Sequence, residues 1–162
     1  MLRYCPMLTE VVHGAYTMLR SCRALELAMA DFYEELALLH QEQMEMVRLW
    51  KKTAREEMNH AAQFTLLLDT MSDQISEIRA DTLTLEKIRL AIATTRDSFH
   101  QHPPTVREAL VAAIAFEEAM SCFHADQIAA FDSPRPRTLF KAMMAADNDH
   151  VGALRSVLAK SP

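Results

Sequence analysis

A carboxylate followed three residues later by a histidine occurs twice in this chain, and the two copies constrain its fold more than any other feature. Glu57 and His60 form the first copy, and Asp147 and His150 form the second. Both residues of the second copy stand 90 positions after their counterparts (147 − 57 and 150 − 60). On a helix, residues three apart lie on the same face. The motif therefore predicts a carboxylate and an imidazole that point the same way from each of two helices.

The sequence around the motif follows the same repeat. Glu26, on an earlier segment, has its counterpart in Glu117, at an offset of 91 residues (117 − 26). Tyr33 follows the first of these carboxylates at the distance at which His124 follows the second. We interpret the chain as a duplicated two-helix unit. Each unit carries one carboxylate on its first helix and a carboxylate-x-x-His motif on its second.

The carboxylates of both units are predicted to face an apolar core. At about 100° per residue, the face of Glu57 also carries Met46, Trp50, Thr53, Ala54, His60, Ala61, Phe64 and Leu68. Glu118 falls about 100° away from Glu117, so Glu117 is the inward carboxylate of its pair. A single Glu-x-x-His motif is also compatible with a surface pair, but a bare carboxylate on an apolar stripe is costly unless it is paired or binds a cation.

Composition favours one domain of long helices. Half of the 162 residues are hydrophobic and only two are glycine, which disfavours a turn-rich β fold. The net charge of −5 gives no reason to expect nucleic acid or an anionic membrane as a partner. There is no apolar run of about 18 residues and no signal-peptide core. Three cysteines without a Cys-x-x-Cys pair predict a reduced, cytoplasmic protein.

Breakers and caps divide the single domain 1–162 into four parts. These are a lead-in (1–16), a first helix pair (17–70), a crossover (71–104) and a second helix pair (105–160). The predicted helices run from Thr17 to His40, Met44 to Thr70, Thr82 to His100, Thr105 to Phe131 and Pro134 to Lys160. Asp81 is the expected cap of the crossover helix, Thr105 and Glu108 form a capping box, and Ser133 is the expected N-cap before Pro134.

Six polar groups are therefore expected to meet inside the bundle. They are Glu26, Glu57, His60, Glu117, Asp147 and His150. Left without a cation, such groups would repel and desolvate one another. Four carboxylates and two imidazoles suit two iron or manganese ions, and zinc would also bind. A Glu from two helices and a Glu-x-x-His motif from the other two is the pattern of dimetal sites in helix bundles.

The motifs resemble the rubrerythrin-like, ferritin-like superfamily of di-iron proteins. The segments Ala24-Leu25-Glu26, Tyr33-Glu34-Glu35-Leu36-Ala37 and Glu56-Glu57-Met58-Asn59-His60-Ala61 are similar to the first helix pair of that family, and the likeness covers about residues 17 to 158. It implies an all-α, antiparallel four-helix bundle with one long crossover. It also implies a di-iron centre that reacts with dioxygen or hydrogen peroxide. By matching position, the six residues become metal ligands, with Glu57 and Asp147 as candidates for bridging carboxylates.

Three departures from the family pattern change what the resemblance implies. Met120 stands where rubrerythrins carry a further carboxylate, so the ligand set is closer to that of bacterioferritin and poor peroxidase activity is expected. No rubredoxin module with paired Cys-x-x-Cys is present, so we expect an external electron donor. Asp147 replaces a Glu and reaches about 1.5 Å less far, so the second ion is expected to be held more loosely or through a water. Only 12 residues follow His150, too few for the last helix of cage-forming ferritins, and we expect a homodimer.

Several alternatives stay open at this stage. The resemblance implies that Tyr33 is a hydrogen-bond donor behind the ligands or a one-electron relay, while a core tyrosine is an equal alternative. His124 is either a satisfied core histidine or a seventh ligand. His100 and His102, beside two prolines, are expected to be exposed. The protein is an oxidoreductase, a non-catalytic iron-binding or detoxification protein, or a bundle with a purely structural metal.

Overall fold

The computed structural model describes residues 12–70, 77–79 and 82–160, and this part of the chain is almost entirely helical. Five helices follow one another, α1 (Ala15–Leu39), α2 (Met44–Thr70), α3 (Thr82–Gln101), α4 (Val106–Ala130) and α5 (Pro134–Leu158). Two short strands, β1 (Val12–Gly14) and β2 (Glu77–Arg79), pair antiparallel. The all-α class predicted from the sequence is confirmed, although no strand was expected.

The helix bounds follow the sequence signals closely. The bounds of α2 are those predicted, and α1 begins two residues earlier than expected, after Gly14 at its N-cap. The capping box of α4 is present, because the Glu108 amide donates to Thr105 Oγ1 (3.2 Å) and the Thr105 amide donates to Glu108 Oε2 (2.8 Å). Ser133 occupies the N-cap of α5 but makes no side-chain cap bond, and Pro136 at the third helical position has no amide hydrogen to donate to it. The predicted cap Asp81 lies outside the described residues.

Two helical hairpins form the body of the fold. The longest interfaces join α1 to α2 and α4 to α5, and α2 also touches α5. The connections within the hairpins are short, as antiparallel helix pairs require. Helix α3 lies against α1 and α4 and buries Leu85, Ile88 and Ile92.

The inner faces of the hairpins bury the residues that the helical periodicity predicted. Every residue predicted on the face of Glu57 is buried, and Trp50 and Phe64 are among the largest fully buried side chains. His100 and His102 are exposed, as expected. Among the described helices, none combines the length and apolar character needed to cross a bilayer.

Candidate metal centre

Four carboxylates from four different helices lie in the interior of the molecule. Glu26 (α1), Glu57 (α2), Glu117 (α4) and Asp147 (α5) are all 0% exposed. Each lies on the inward, apolar face of an amphipathic helix, so the helical periodicity of the sequence directs it into the core. Burial of four acids without compensation would be strongly unfavourable, so their surroundings decide what this cluster does.

The first group of candidate ligands joins α1 and α2. Atoms of Glu26, Glu57 and His60 lie within 4.8 Å of one another. His60 Nδ1 is 3.1 Å from Glu57 Oε2 and 3.5 Å from Glu26 Oε2. Because Glu57 and His60 are three residues apart on one helix, the motif sets their spacing, while Glu26 comes from the neighbouring helix.

The second group joins α2 to α4 and α5. Atoms of Glu57, Glu117 and His150 also lie within 4.8 Å of one another. His150 Nδ1 is 3.0 Å from Glu57 Oε1 and 3.3 Å from Glu117 Oε2. The two oxygens of Glu57 thus face the two histidines, one each, and Glu57 is the residue that both groups share.

Asp147 lies outside both groups and contacts His124 instead. Asp147 Oδ2 is 2.7 Å from His124 Nδ1, and His124 Nε2 is 3.2 Å from Glu26 Oε1. His124 is 0% exposed, so its imidazole is held between two buried carboxylates. Asp147 is thus paired with His124, and its side chain is one methylene shorter than that of its repeat counterpart Glu57.

Tyr33 contacts the cluster from the α1 side. Its hydroxyl donates a hydrogen bond of 2.5 Å to Glu117 Oε1. Its ring stacks on Trp50 with 5.8 Å between the ring centroids, and both side chains are fully buried. Tyr33 is therefore a core tyrosine and a donor to a candidate ligand at the same time.

The three imidazoles favour the protonated form in this setting. Burial alone would lower the pKa of His60, but Glu26 and Glu57 outweigh it and raise that pKa to about 10. Burial also acts to lower the pKa of His124, but Asp147 and Glu26 outweigh it and raise that pKa to about 9. In the same way, Glu117 and Glu57 outweigh burial and raise the pKa of His150 to about 11.

The pKa values of the buried acids Glu117 and Glu26 shift in opposite directions. Burial raises the pKa of Glu117 well above its ordinary value, despite the favourable imidazole of His150. Burial also acts to raise the pKa of Glu26, but His124 and His60 outweigh it and leave the pKa below its ordinary value. Burial and Glu117 raise the pKa of Tyr33, so the phenol keeps its proton and can only donate towards the carboxylate.

Several oxygens of the cluster would accept a cation. Five buried atoms of the cluster make no hydrogen bond of full geometry among the described residues, namely Glu26 Oε1 and Oε2, Glu57 Oε1, His124 Nε2 and Asp147 Oδ1. Four of them lie within 3.5 Å of an ion-pair partner, while Asp147 Oδ1 has none there, and a buried carboxylate oxygen without a partner is unfavourable. Oxygen and imidazole donors in groups of three match the ligand preferences of iron, manganese and zinc. The residues present therefore fit two metal ions that share Glu57.

A cleft between α2 and α5 leads to the histidine side of the cluster. It has a volume of about 270 Å³, and its wall includes His60, His150 and Ala146. The two imidazoles stack there with 5.9 Å between the ring centroids. Glu56 lies at the mouth, with Oε2 at 3.2 Å from His150 Nε2 and Oε1 at 2.8 Å from Lys52 Nζ.

Glu56 was not assigned to this site from the sequence, and His124 was left open as a core histidine or a seventh ligand. Glu56 is about 100° round the helix from Glu57, and nothing in its local pattern indicates the contact with His150 on another helix. His124 was recognised as inward, and its repeat counterpart Tyr33 gives the available signal, because both side chains reach a carboxylate of the other hairpin.

Comparisons of the chain with family models, with curated proteins and with solved structures found no match. The functional conclusion therefore rests on the residues and geometry described above.

Proposed function

We propose that this chain is a dinuclear-metal oxidoreductase of the rubrerythrin and ferritin-like type, acting on ferrous iron, dioxygen or hydrogen peroxide. The observation that carries the proposal is that Glu57 belongs to two buried ligand groups at once. A carboxylate with one oxygen directed to each of two imidazole-containing groups is what a bridging ligand requires.

The proposed fold is an antiparallel four-helix bundle of α1, α2, α4 and α5, with α3 in the long crossover and a duplicated two-helix unit. Two contacts support the duplication. Tyr33 of the first hairpin donates to Glu117 of the second, and its repeat counterpart His124 contacts Glu26 of the first. A two-fold axis between the hairpins would exchange these two contacts.

Two iron ions are the proposed cofactors, and manganese or zinc would accept the same donors. Glu26, Glu57 and His60 would hold one ion, and Glu57, Glu117 and His150 the other. When bound, an iron pair supplies two adjacent one-electron redox centres. Asp147, held by His124 (2.7 Å), is expected to reach the second ion through a water or after release from His124.

The protein's own groups position and protect this chemistry. To hold a metal ion, His60 and His150 would have to release a proton, because a coordinating imidazole carries none on its binding nitrogen. Tyr33 keeps its phenolic proton and donates a hydrogen bond to Glu117 Oε1, which fixes the orientation of that carboxylate. The apolar inner faces exclude bulk water, and the cleft between α2 and α5 is the proposed route for small reactants and for electrons from an external donor.

Met120 bears on which oxidant is turned over. It is fully buried on α4, three residues after Glu117, and its thioether carries no charge to stabilise an oxidised ion. We expect a fixed ligand set and slow peroxide turnover. In the Met120→Glu variant, peroxide turnover with an added reductant should rise, and equal rates in both proteins would refute this argument.

A second candidate is a polar network whose metal is structural or whose iron binding is not catalytic. It is favoured by the contacts of His60, His124 and His150, each of which lies near two carboxylates. Protons on these imidazoles would offset the acidic charge without any metal.

Anaerobic loading with ferrous iron separates these candidates. The oxidoreductase proposal predicts two iron ions per chain after removal of excess metal. Air or peroxide should oxidise these ions faster than it oxidises iron in buffer, and Mössbauer spectroscopy monitors the oxidation. Bound iron that oxidises no faster indicates a non-catalytic site, and a chain that retains no iron contradicts the metal assignment. Glu117→Gln should lower the iron content, while Glu118→Gln, next to it on the outer face, should not.

A further inference from the structure

The outer face of α1 carries three large apolar side chains that are exposed within the described part of the chain. Tyr16, Leu27 and Leu38 are 52%, 37% and 68% exposed. They are spaced by 11 residues, which is close to three helical turns. Each residue is therefore rotated by only about 20° around the helix from the one before it, and the three lie on one stripe. This stripe spans 22 residues, or roughly 33 Å of helix.

Four charged residues occupy the same stripe. Arg20 and Arg23 lie on the N-terminal side of Leu27, and Asp31 and Glu34 lie on the C-terminal side, all four exposed. None of them forms a hydrogen bond or ion pair within the described part of the chain, although Asp31 acts on Arg96 through space. The stripe therefore has a basic half and an acidic half with unused charge on both.

The arrangement is symmetric about Leu27. Arg23 and Asp31 are each four residues from it, and Arg20 and Glu34 are each seven residues away. Tyr16 and Leu38 stand at equal distances further out. If a second copy of the helix lies antiparallel across a two-fold axis at Leu27, every arginine faces an acid. The apolar residues then face one another at the centre and at both ends.

We propose that this face of α1 is the interface of a two-fold homodimer. An isologous interface requires a self-complementary surface, and the reversal of charge about Leu27 provides one. A parallel pair would instead place arginine beside arginine and acid beside acid. Because Glu26 points inward from the neighbouring position, the metal centres of the two copies lie on opposite sides of the paired helices, and the dimer does not depend on the metal.

Charge exchange on the full chain tests the proposal. An acidic variant carries Arg20→Glu with Arg23→Glu, and a basic variant carries Asp31→Lys with Glu34→Lys. Each alone places four pairs of like charge across the interface, so its dimer dissociation constant should rise by about 100-fold or more. Mixed in equal amounts, the two variants should form a heterodimer, and one chain with all four changes should dimerise like the original.

Analytical ultracentrifugation at low salt measures these states. A matched control with Lys51→Glu and Lys141→Glu makes the same change of net charge as the acidic variant, on exposed positions of α2 and α5, and it should remain dimeric. Heterodimer formation also shows that both variants are folded. An unmodified chain that stays monomeric at tens of micromolar would overturn the proposal. So would acidic and basic variants that dimerise alone, or a mixture that does not pair.

Discussion

Glu57 on α2 and Asp147 on α5 occupy equivalent places in the repeated sequence, yet they make different contacts. Glu57 lies 3.1 Å from His60 and 3.0 Å from His150, so it connects both ligand groups. Asp147 meets His124 at 2.7 Å and stands outside both groups. The first hairpin thus supplies the carboxylate common to both candidate groups, while the second supplies an acid that is already paired with His124.

Two substitutions between the halves account for this asymmetry. Asp147 is one methylene shorter than its counterpart, and His124 stands where the first half has Tyr33. A phenol with a raised pKa only donates a hydrogen bond, whereas an imidazolium offers a positive charge to two carboxylates. The comparison teaches that a duplicated ligand set need not bind two ions equally, because a cationic side chain can take the place of part of the metal's charge.

Replacing the shared carboxylate should have the largest effect. Glu57→Gln keeps the shape of the side chain but removes its charge from both groups, so both ions should bind at least about 100-fold more weakly. Asp147→Asn should weaken only the second ion, and to a smaller degree. Competitive metal titration measures both affinities. Equal losses of metal affinity in the two variants would contradict this, because they would show that Glu57 and Asp147 contribute equally to metal binding.

The next largest effect is expected from His124→Phe. Without the imidazole, Asp147 stays buried without its partner and Glu26 keeps only His60, so the metal-free protein should lose about 3–5 kcal/mol in its free energy of unfolding. Metal should restore much of this loss, because Asp147 becomes free to act as a ligand. Urea unfolding with and without bound metal tests this. An equal loss in both states would assign His124 a packing role alone.

The histidines also make the metal-free protein sensitive to alkaline pH. The pKa values of His60, His124 and His150 are raised to about 10, 9 and 11, from an ordinary value of 6.5. Their contribution to stability is fully present below about pH 6.5. It declines as the pH rises towards 9–11, because the folded protein then loses the protons that it had gained on folding.

Thermal unfolding between pH 7 and 10 in a chelating buffer should therefore show falling stability. Metal-loaded protein should show a flatter profile, since a coordinating imidazole has already released that proton. A metal-free protein whose stability rises over this range would contradict the assigned protonation of the cluster.

Removing the Tyr33 hydroxyl should have the smallest effect. Tyr33→Phe deletes the 2.5 Å bond to Glu117 and should lower metal affinity by about 10-fold, while the stacking on Trp50 is kept. Isothermal titration of the variant measures the change. Affinity that falls as far as in Glu117→Gln would mean that Tyr33 holds the site together rather than fixing one carboxylate.

The elements and the inward residues could be predicted because they depend on local signals. Apolar stripes of helical period placed Glu26, Glu57, Glu117 and Asp147 inside, and the turn residues after His40 fixed the start of α2 at Met44. The capping box at Thr105 was predicted for the same reason, since a helix N-terminus is recognised within four residues.

The contacts between helices could not be predicted, because no single-helix pattern encodes the distance to a neighbour. The pairing of β1 with β2 joins residues far apart in the chain over only three positions. The resemblance made both Glu57 and Asp147 candidates for a bridging carboxylate, but which of them lies in both groups depends on how the hairpins meet. The approach of Glu56 to His150 depends on how α2 and α5 meet. The capture of Asp147 by His124 depends likewise on the packing of α4 against α5.

Anomalous diffraction at the iron edge, from crystals of the protein loaded anaerobically with ferrous iron, tests the central claim most directly. The account predicts two peaks per chain, one bounded by Glu26, Glu57 and His60 and the other by Glu57, Glu117 and His150. Iron away from Glu57, or no peak with His60 and His150 still paired to the carboxylates, would contradict it.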